Sequence, residues 1–426
     1  MPNSLSSSDQ VTGEFVTLGD ERYYAIHNVD KMAPFFISLV SDGDHWMFLS
    51  SNGGLTAGRV SPETALFPYI TVDRIYESTA HTGSKTLLRV EANGSRHNWE
   101  PFNYEHNGRH VVTRNLYKNA LGNKLLFEEI NHDLQLVFRY SWAFSDAYGF
   151  VRQCELENLD GENCEVELLD GLQNILPAGT PRFTQTNSSY LVDAYKWNEL
   201  DQKTGLAFFT LFSAITDRAE PGESLKATTV FSLGLKDPCI LLSSEQLENF
   251  RHGAAVEKEN HNRGIRGAYL VNASLTLPAG SSRQWQVVAD IEQSQCESVA
   301  LLQQLGQPAT LAKALGDSIK QGSETLAGIL AAADGFQLTA EEEVATHHYA
   351  NVLFNTLRGG IFDNQYLIAS SHFRRHVEQF NRGVYDSHQA LLEACLLYTS
   401  PSPRDKIHDL VFRLRGGLGG GGGGGG

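Results

Sequence analysis

The sequence predicts a chain that is mainly β and then turns α: one large antiparallel β-sandwich followed by helices. Three observations predict it. Leu134, Leu136, Phe138, Tyr140, Trp142 and Phe144 recur at strict period two, which puts one face of a long strand on a core and leaves Gln135, Arg139 and Ser141 on the other. From about Glu14 to Ile291 strand and turn signals follow one another, with almost no helical periodicity and no Pro- or Gly-rich linker. At Cys296 the apolar spacing changes to that of helices.

Taken in order, the segment 1–13 has no apolar pattern and is expected to be disordered. The sandwich is assigned to 14–293. After the Leu134–Phe144 strand come strands at Val151–Glu157 and Cys164–Leu169, joined by the turn-rich Asn158-Leu159-Asp160-Gly161. Further strands are expected at Ala207–Leu211, Ala227–Leu235, Tyr269–Leu277 and Gln284–Ile291. Such a stretch exceeds the ~100 residues of an immunoglobulin-sized sandwich. Its even turn spacing favours one very large sandwich over two small domains.

A helical linker is assigned to 294–336. Its first helix, Glu297–Leu305, ends at Gly306; Leu311, Leu315 and Ile319 mark a second, and Leu326, Ile329 and Leu330 a third. Over 337–394, Thr339 and Glu342 have the spacing of a capping box for a fourth helix. Ala350, Leu353, Phe354 and Leu357 form its stripe, and Gly359-Gly360 stops it. A fifth helix from Ser371 places Phe373, Val377, Phe380, Val384 and Leu391 on one face. That stripe needs a partner further on, so the chain is expected to be the front part of a longer protein.

Residues 395–426 are expected to be non-native and disordered. Cys395–Asp405 (CLLYTSPSPRD) back-translates to a string resembling a transposase adapter, Asp409–Leu414 resembles its remainder, and Gly416–Gly426 is nearly all glycine. The formal charge is −16 in full and −18 without this tail, whose four basic residues outnumber its two acidic ones by two. An acidic chain lacks the clustered Lys and Arg that nucleic acid or an anionic membrane requires, and it suits a neutral sugar.

Without the tail the cysteines are Cys154, Cys164, Cys239 and Cys296, with no CxxC and no nearby His, so neither a zinc site nor a disulfide framework is expected. The start lacks a basic-then-apolar leader, and no stretch approaches the ~20 apolar residues of a membrane span. A cytoplasmic protein is the expectation, with the NxS sequons at Asn93, Asn187 and Asn272 arising by chance.

Individual segments add a family to this layout. Asn52–Arg59 (NGGLTAGR), Pro62–Arg74 (PETALFPYITVDR), Leu168–Gly179 (LLDGLQNILPAG), Asn355–Tyr366 (NTLRGGIFDNQY) and Phe373–Tyr385 resemble the cellobiose-phosphorylase-like glycoside phosphorylases and hydrolases. The resemblance implies an N-terminal β-super-sandwich, linker helices, and an (α/α)6 barrel of which 337–394 is the truncated start. It implies inverting phosphorolysis or hydrolysis of β-glucoside-type oligosaccharides: an Asp protonates the glycosidic oxygen while phosphate, or water activated by a second carboxylate, attacks the anomeric carbon. Inorganic phosphate is then a co-substrate, no cofactor or metal is required, and pairing into a homodimer through the sandwich is implied. The catalytic carboxylates of such enzymes lie beyond Ala394, so none is assigned. The rival reading is a non-catalytic sandwich that binds carbohydrate or mediates assembly.

Five residues are candidate sugar contacts. Arg358, Asp363 and Asn364 offer the planar hydrogen bonds that sugar hydroxyls need, although Asp363 and Asn364 also suit an Asx turn between helices. Asp170 and Asn174 follow an expected strand end, where a loop reaches a neighbouring domain, or else serve the turn around Gly171.

Other features read as structural. Glu341-Glu342-Glu343 complements a helix dipole. His347 and His348 diverge by roughly 100° on a helix and cannot share a metal. Trp142 is a core residue at period two, and among Trp46, Trp99, Trp197 and Trp285 a sugar-stacking platform remains open. Asn52-Gly53-Gly54 is read as a turn, since no GK[ST] follows to make a phosphate loop.

Overall fold

A computed structural model describes residues 10–92, 94–215, 225–333, 335–337, 339–357, 367–394 and 397–399. The chain divides into two compact units, Met1–Ser323 and Glu324–Gly426.

In the first unit the strands are β1 (Thr12–Leu18), β2 (Glu21–His27), β3 (Phe36–Leu39), β4 (His45–Ser50), β5 (Leu55–Arg59), β6 (Gly83–Ala92) and β7 (Ser95–Trp99). Next come β8 (Val112–Asn119), β9 (Leu125–Asn131), β10 (Leu136–Ser145), β11 (Gly149–Asn158) and β12 (Cys164–Ile175). Two short helices, α1 (Arg182–Asn187) and α2 (Ser189–Tyr195), precede β13 (Lys196–Leu200), β14 (Ala207–Leu211), β15 (Lys226–Leu233) and β16 (Cys239–Leu241). A third helix, α3 (Leu247–Arg251), precedes β17 (His261–Arg263), β18 (Gly267–Leu277) and β19 (Ser282–Ser294).

They form an eleven-stranded antiparallel sheet in the order β1-β2-β8-β9-β10-β11-β19-β15-β14-β13-β17, a five-stranded sheet β16-β18-β12-β6-β7, and a three-stranded sheet β3-β4-β5. The large antiparallel sandwich expected from the sequence is therefore present. Its core lies between the sheets: Phe138 and Trp142 of β10, Trp285 of β19, Leu168 and Leu172 of β12, and Met47 and Leu49 of β4 are all buried. The period-two residues Leu136 to Phe144 point inward as expected, each 5% exposed or less.

One ion pair crosses this core. Arg152 Nη1 of β11 meets Asp170 Oδ2 of β12 at 2.8 Å, both side chains fully buried. Trp285 Nε1 donates to the same oxygen at 2.7 Å, and Thr86 donates to Asp170 Oδ1 at 2.6 Å. Asp170 thus does not follow a strand end, because β12 continues to Ile175. Gly171 makes that continuation possible: a Cβ there would lie 1.9 Å from the Tyr269 carbonyl oxygen.

Three of the segments singled out for their resemblance, 52–59, 62–74 and 168–179, are joined by backbone and side-chain hydrogen bonds. Leu176 N donates to Leu66 O at 2.9 Å, and Thr56 Oγ1 to Pro68 O at 2.9 Å.

The opposite face of the large sheet is apolar at one end. There Val151, Phe231 and Val288 pack against Leu301 and Leu305 of α4 (Gln295–Leu305) and Leu311, Leu315 and Ile319 of α5 (Pro308–Ala332). The second and third expected helices are thus one. Only Gly322 weakens the join, and it sits beside the Asp42 carboxylate. The sequence expectation also missed α1, α2 and α3, each too short to show a helical period.

In the second unit α6 (Glu342–Leu357) buries Ala345, Val352 and Leu353, whereas Phe354 and Leu357 of the expected stripe are exposed. The Thr339 hydroxyl accepts from Glu341 N at 3.3 Å, and the helix begins three residues later, so Thr339 is not its N-cap. The expected fifth helix is two, α7 (Ser370–Phe380) and α8 (Arg382–Ala394), because Asn381 Oδ1 accepts from Val384 N at 3.1 Å and caps a new helix. Gly359 and Gly360 lie outside the described residues. Within the tail expected to be disordered, Leu397–Thr399 are described, and they pair antiparallel with Leu367–Ala369. A Leu-Tyr-Thr run has the propensity for a strand.

Candidate functional site

The site begins with an unpaired half-strand. One edge of β6 pairs with β12 from Gly83 to Glu91, but on the other edge β7 covers only Leu88–Ala92. Among the described residues Gly83–Leu87 has no strand on that side, and a cavity of about 630 Å³ opens against it. Strand alternation gives the cavity two walls. Ser84 and Thr86 face the sandwich interior, while Lys85 and Leu87 face α3.

After Trp99 the chain turns away through 100–109 and closes the far side. Glu129, 1% exposed on β9, anchors that turn: its carboxylate accepts from Trp99 Nε1 at 2.7 Å, Phe102 N at 2.7 Å and Arg114 Nε at 2.6 Å. Phe102 is held at φ 59°, an uncommon state for a bulky residue, with its ring edge-on to Tyr140 at 5.1 Å. The β4–β5 turn adds Asn52 and Gly53. α3 is tied in by Arg89, which donates through Nε to Phe250 O at 3.0 Å and stacks on the Phe250 ring.

Glu100 is the electrostatic centre. It is 8% exposed, pairs with Lys85, accepts from Arg251 Nη2 at 2.9 Å and Nε at 3.1 Å, and has His106 Nδ1 at 3.8 Å. Burial alone would raise its pKa, but the Arg251 hydrogen bonds and the Lys85 charge outweigh it and hold the group at about 2. Burial, helped by the charge on Arg109, lowers the His106 pKa. The cavity's three Lys and Arg (Lys85, Arg109, Arg251) match its three carboxylates (Glu100, Glu105, Glu248). Its lining is electrically balanced.

This arrangement suits binding of a neutral, hydroxyl-rich ligand: planar polar groups at the rim and aromatic rings behind. It does not suit acid–base catalysis through Glu100, which is fixed as an anion. An inverting glycosidase sets a second carboxylate about 6.5–9.5 Å from a proton-donating one; Glu105 and Glu248 are exposed, and the buried carboxylate is already clamped. Among the described residues no cluster of His, Cys, Asp and Glu could hold a metal, and no helix is long and apolar enough to cross a membrane.

Of the sequence candidates, Arg358, Asp363 and Asn364 lie outside the described residues. Asp170 is a buried partner of Arg152 and reaches the cavity only through Thr86. Asn174 does not sit in a loop either; it forms a bulge in β12 at φ 56°, 8% exposed, donating from Nδ2 to Thr82 Oγ1 at 2.9 Å. Both are corrected from loop contacts to interior residues. Of the tryptophans only Trp99 reaches the cavity, and at 2% exposure it presents no stacking face. The sequence reading missed Ser84, Lys85, Glu100, Tyr140 and Arg251. Asn52-Gly53 was read as a turn, which it is, but it also walls the cavity.

No family model matches the chain, and no curated protein sequence does. Several solved structures resemble it in part. One assigned as a kojibiose phosphorylase from human microbiome shares 11% identity at a TM-score of 0.36, over 62% of this chain and 31% of that one. A bacterial glucoamylase complexed with acarbose shares 10% at 0.33, over 70% and 39%. One assigned as an aldose 1-epimerase from Klebsiella pneumoniae shares 10% at 0.33, over 70% and 91%. The chain spans less than two-fifths of the first two, and likenesses this faint carry no statement of its activity.

Proposed function

We propose that this chain is the sugar-recognising sandwich of an enzyme that processes β-glucoside-type oligosaccharides by inverting phosphorolysis or hydrolysis, and that the cavity beside β6 is its sugar site. The observation that carries the reading is the charge-balanced cavity with its clamped Glu100, which suits a neutral polyol and keeps the one buried carboxylate an anion. The segments resembling cellobiose-phosphorylase-like enzymes support the substrate class, and inorganic phosphate belongs to the reaction of the whole enzyme. Cytoplasmic location and a homodimer remain part of the proposal.

Titration calorimetry of the chain with cellobiose, cellotetraose and laminaribiose tests it. Saturable binding is expected, with no release of glucose or glucose 1-phosphate when inorganic phosphate is added. Failure of every neutral oligosaccharide to bind overturns the reading.

A further inference from the structure

Among the described residues the hydroxyls of Thr79, Ser84, Tyr104 and Tyr140 line this cavity without a hydrogen-bond partner, and those of Ser84 and Tyr140 are held on strands of the two facing sheets. Tyr140 is 3% exposed, its ring stacked on Phe127 at 4.7 Å and under Arg152 at 4.9 Å, yet among the described residues its hydroxyl makes no hydrogen bond and lies in the cavity wall. Ser84 Oγ is likewise buried in that wall without a partner. The contrast with Thr86, two residues along the same face of β6, is direct: its hydroxyl donates to Asp170 at 2.6 Å and accepts from Arg152 Nη2 at 3.0 Å. Partners were within reach of this wall, and Tyr140 and Ser84 are not aimed at them.

The Tyr140 hydroxyl opens on the cavity and has no protein partner to lose, so a phenylalanine in its place leaves the core packing intact. The surroundings also keep the hydroxyl clear. Gly53 sits at φ 91°, and a Cβ there would come within 3.1 Å of the Tyr140 oxygen. Burial raises the phenol's pKa, so it stays protonated and can donate as well as accept.

We propose that the Tyr140 and Ser84 hydroxyls are the specificity-determining inner contacts of the cavity, taking hydrogen bonds to ring hydroxyls of a neutral β-linked gluco-oligosaccharide. The inference rests on the carbohydrate reading above. No covalent step is involved: each hydroxyl exchanges an empty position for a sugar hydroxyl, and a sugar lacking the matching group leaves it empty again.

The test uses the full chain as wild type, Tyr140→Phe and Ser84→Ala, with cellotetraose and monodeoxy cellobioses as probes and with melting temperature recorded for each variant. Tyr140→Phe is expected to melt at or above the wild-type temperature while its Kd for cellotetraose rises about tenfold. One monodeoxy cellobiose should bind the wild type more weakly and show no further loss in Tyr140→Phe. Wild-type binding that both variants leave within about twofold overturns this inference and leaves the carbohydrate reading standing. Absence of any binding by the wild type overturns both. A fall in the melting temperature of Tyr140→Phe beside unchanged affinity shows the hydroxyl to be structural and also overturns it; if that variant does not fold, Ser84→Ala carries the same comparison.

Discussion

Glu100 shows how one side chain fixes both stability and chemistry. Its pKa drop from 4.5 to about 2 corresponds to on the order of 3 kcal/mol at about 1.36 kcal/mol per unit. The folded pKa lies below the unfolded one, so the contribution is fully present above about pH 4.5 and lost as pH falls toward 2. Glu100→Gln should therefore destabilise the protein by that order at pH 7, with the gap closing between about pH 4.5 and 2, as urea unfolding at a series of pH values would record. Asp170 gives a sharper contrast. Asp170→Asn removes the anion facing a fully buried Arg152, and breaking such a pair costs about 3–5 kcal/mol. A loop contact, as its sequence position implied, would instead lower sugar affinity at unchanged stability, so the urea midpoint and the titration separate the two roles.

Some long elements were legible, since each displays its period several times, but β1, β2, β6, β8 and β9, of seven to ten residues, were not named individually because their apolar residues do not alternate as strictly. The run from Leu136 to Phe144 shows its inward face five times, and it is found as read. α1 and α3 are six and five residues long and show none. Capping signals were read unevenly: α6 begins three residues after the Thr339 expected to cap it, while a capping box of Ser294 with Glu297 starts α4. The cavity was not legible for a different reason. Gly53, Ser84 and Tyr140 come from three distant segments, and a period-two tyrosine looks like core until its hydroxyl is seen to lack a partner. The helices on the large sheet offer an element-scale test. Leu315 of α5 is fully buried against Val151 and Phe231, so Leu315→Ala should cost about 2–5 kcal/mol in chemical denaturation. A cost below about 0.5 kcal/mol, the size of a surface substitution, would mean that α5 does not hold to the sheet.

The whole molecule carries a formal charge of −16, yet the cavity's three Lys and Arg are matched by three carboxylates. These two facts act on different ligands. A net negative field repels anions at range and is screened by salt, whereas a neutral ligand has no charge for it to act on. A locally balanced site likewise offers an anion no free cation cluster of the kind that captures phosphate or sulfate. Affinity for a neutral oligosaccharide should therefore be almost independent of ionic strength, because its hydrogen bonds form inside the cavity and not across the solvent. Cellotetraose is expected to keep its Kd within about twofold between about 20 and about 500 mM sodium chloride, where the Debye length shrinks several-fold. Heparin, a polyanion of the same general build, is expected to bind negligibly across that range. Titration calorimetry at both salt levels checks this. A cellotetraose Kd that climbs steeply with salt, or heparin binding tightly at low salt, would show the balance of charges in the cavity to have been misjudged.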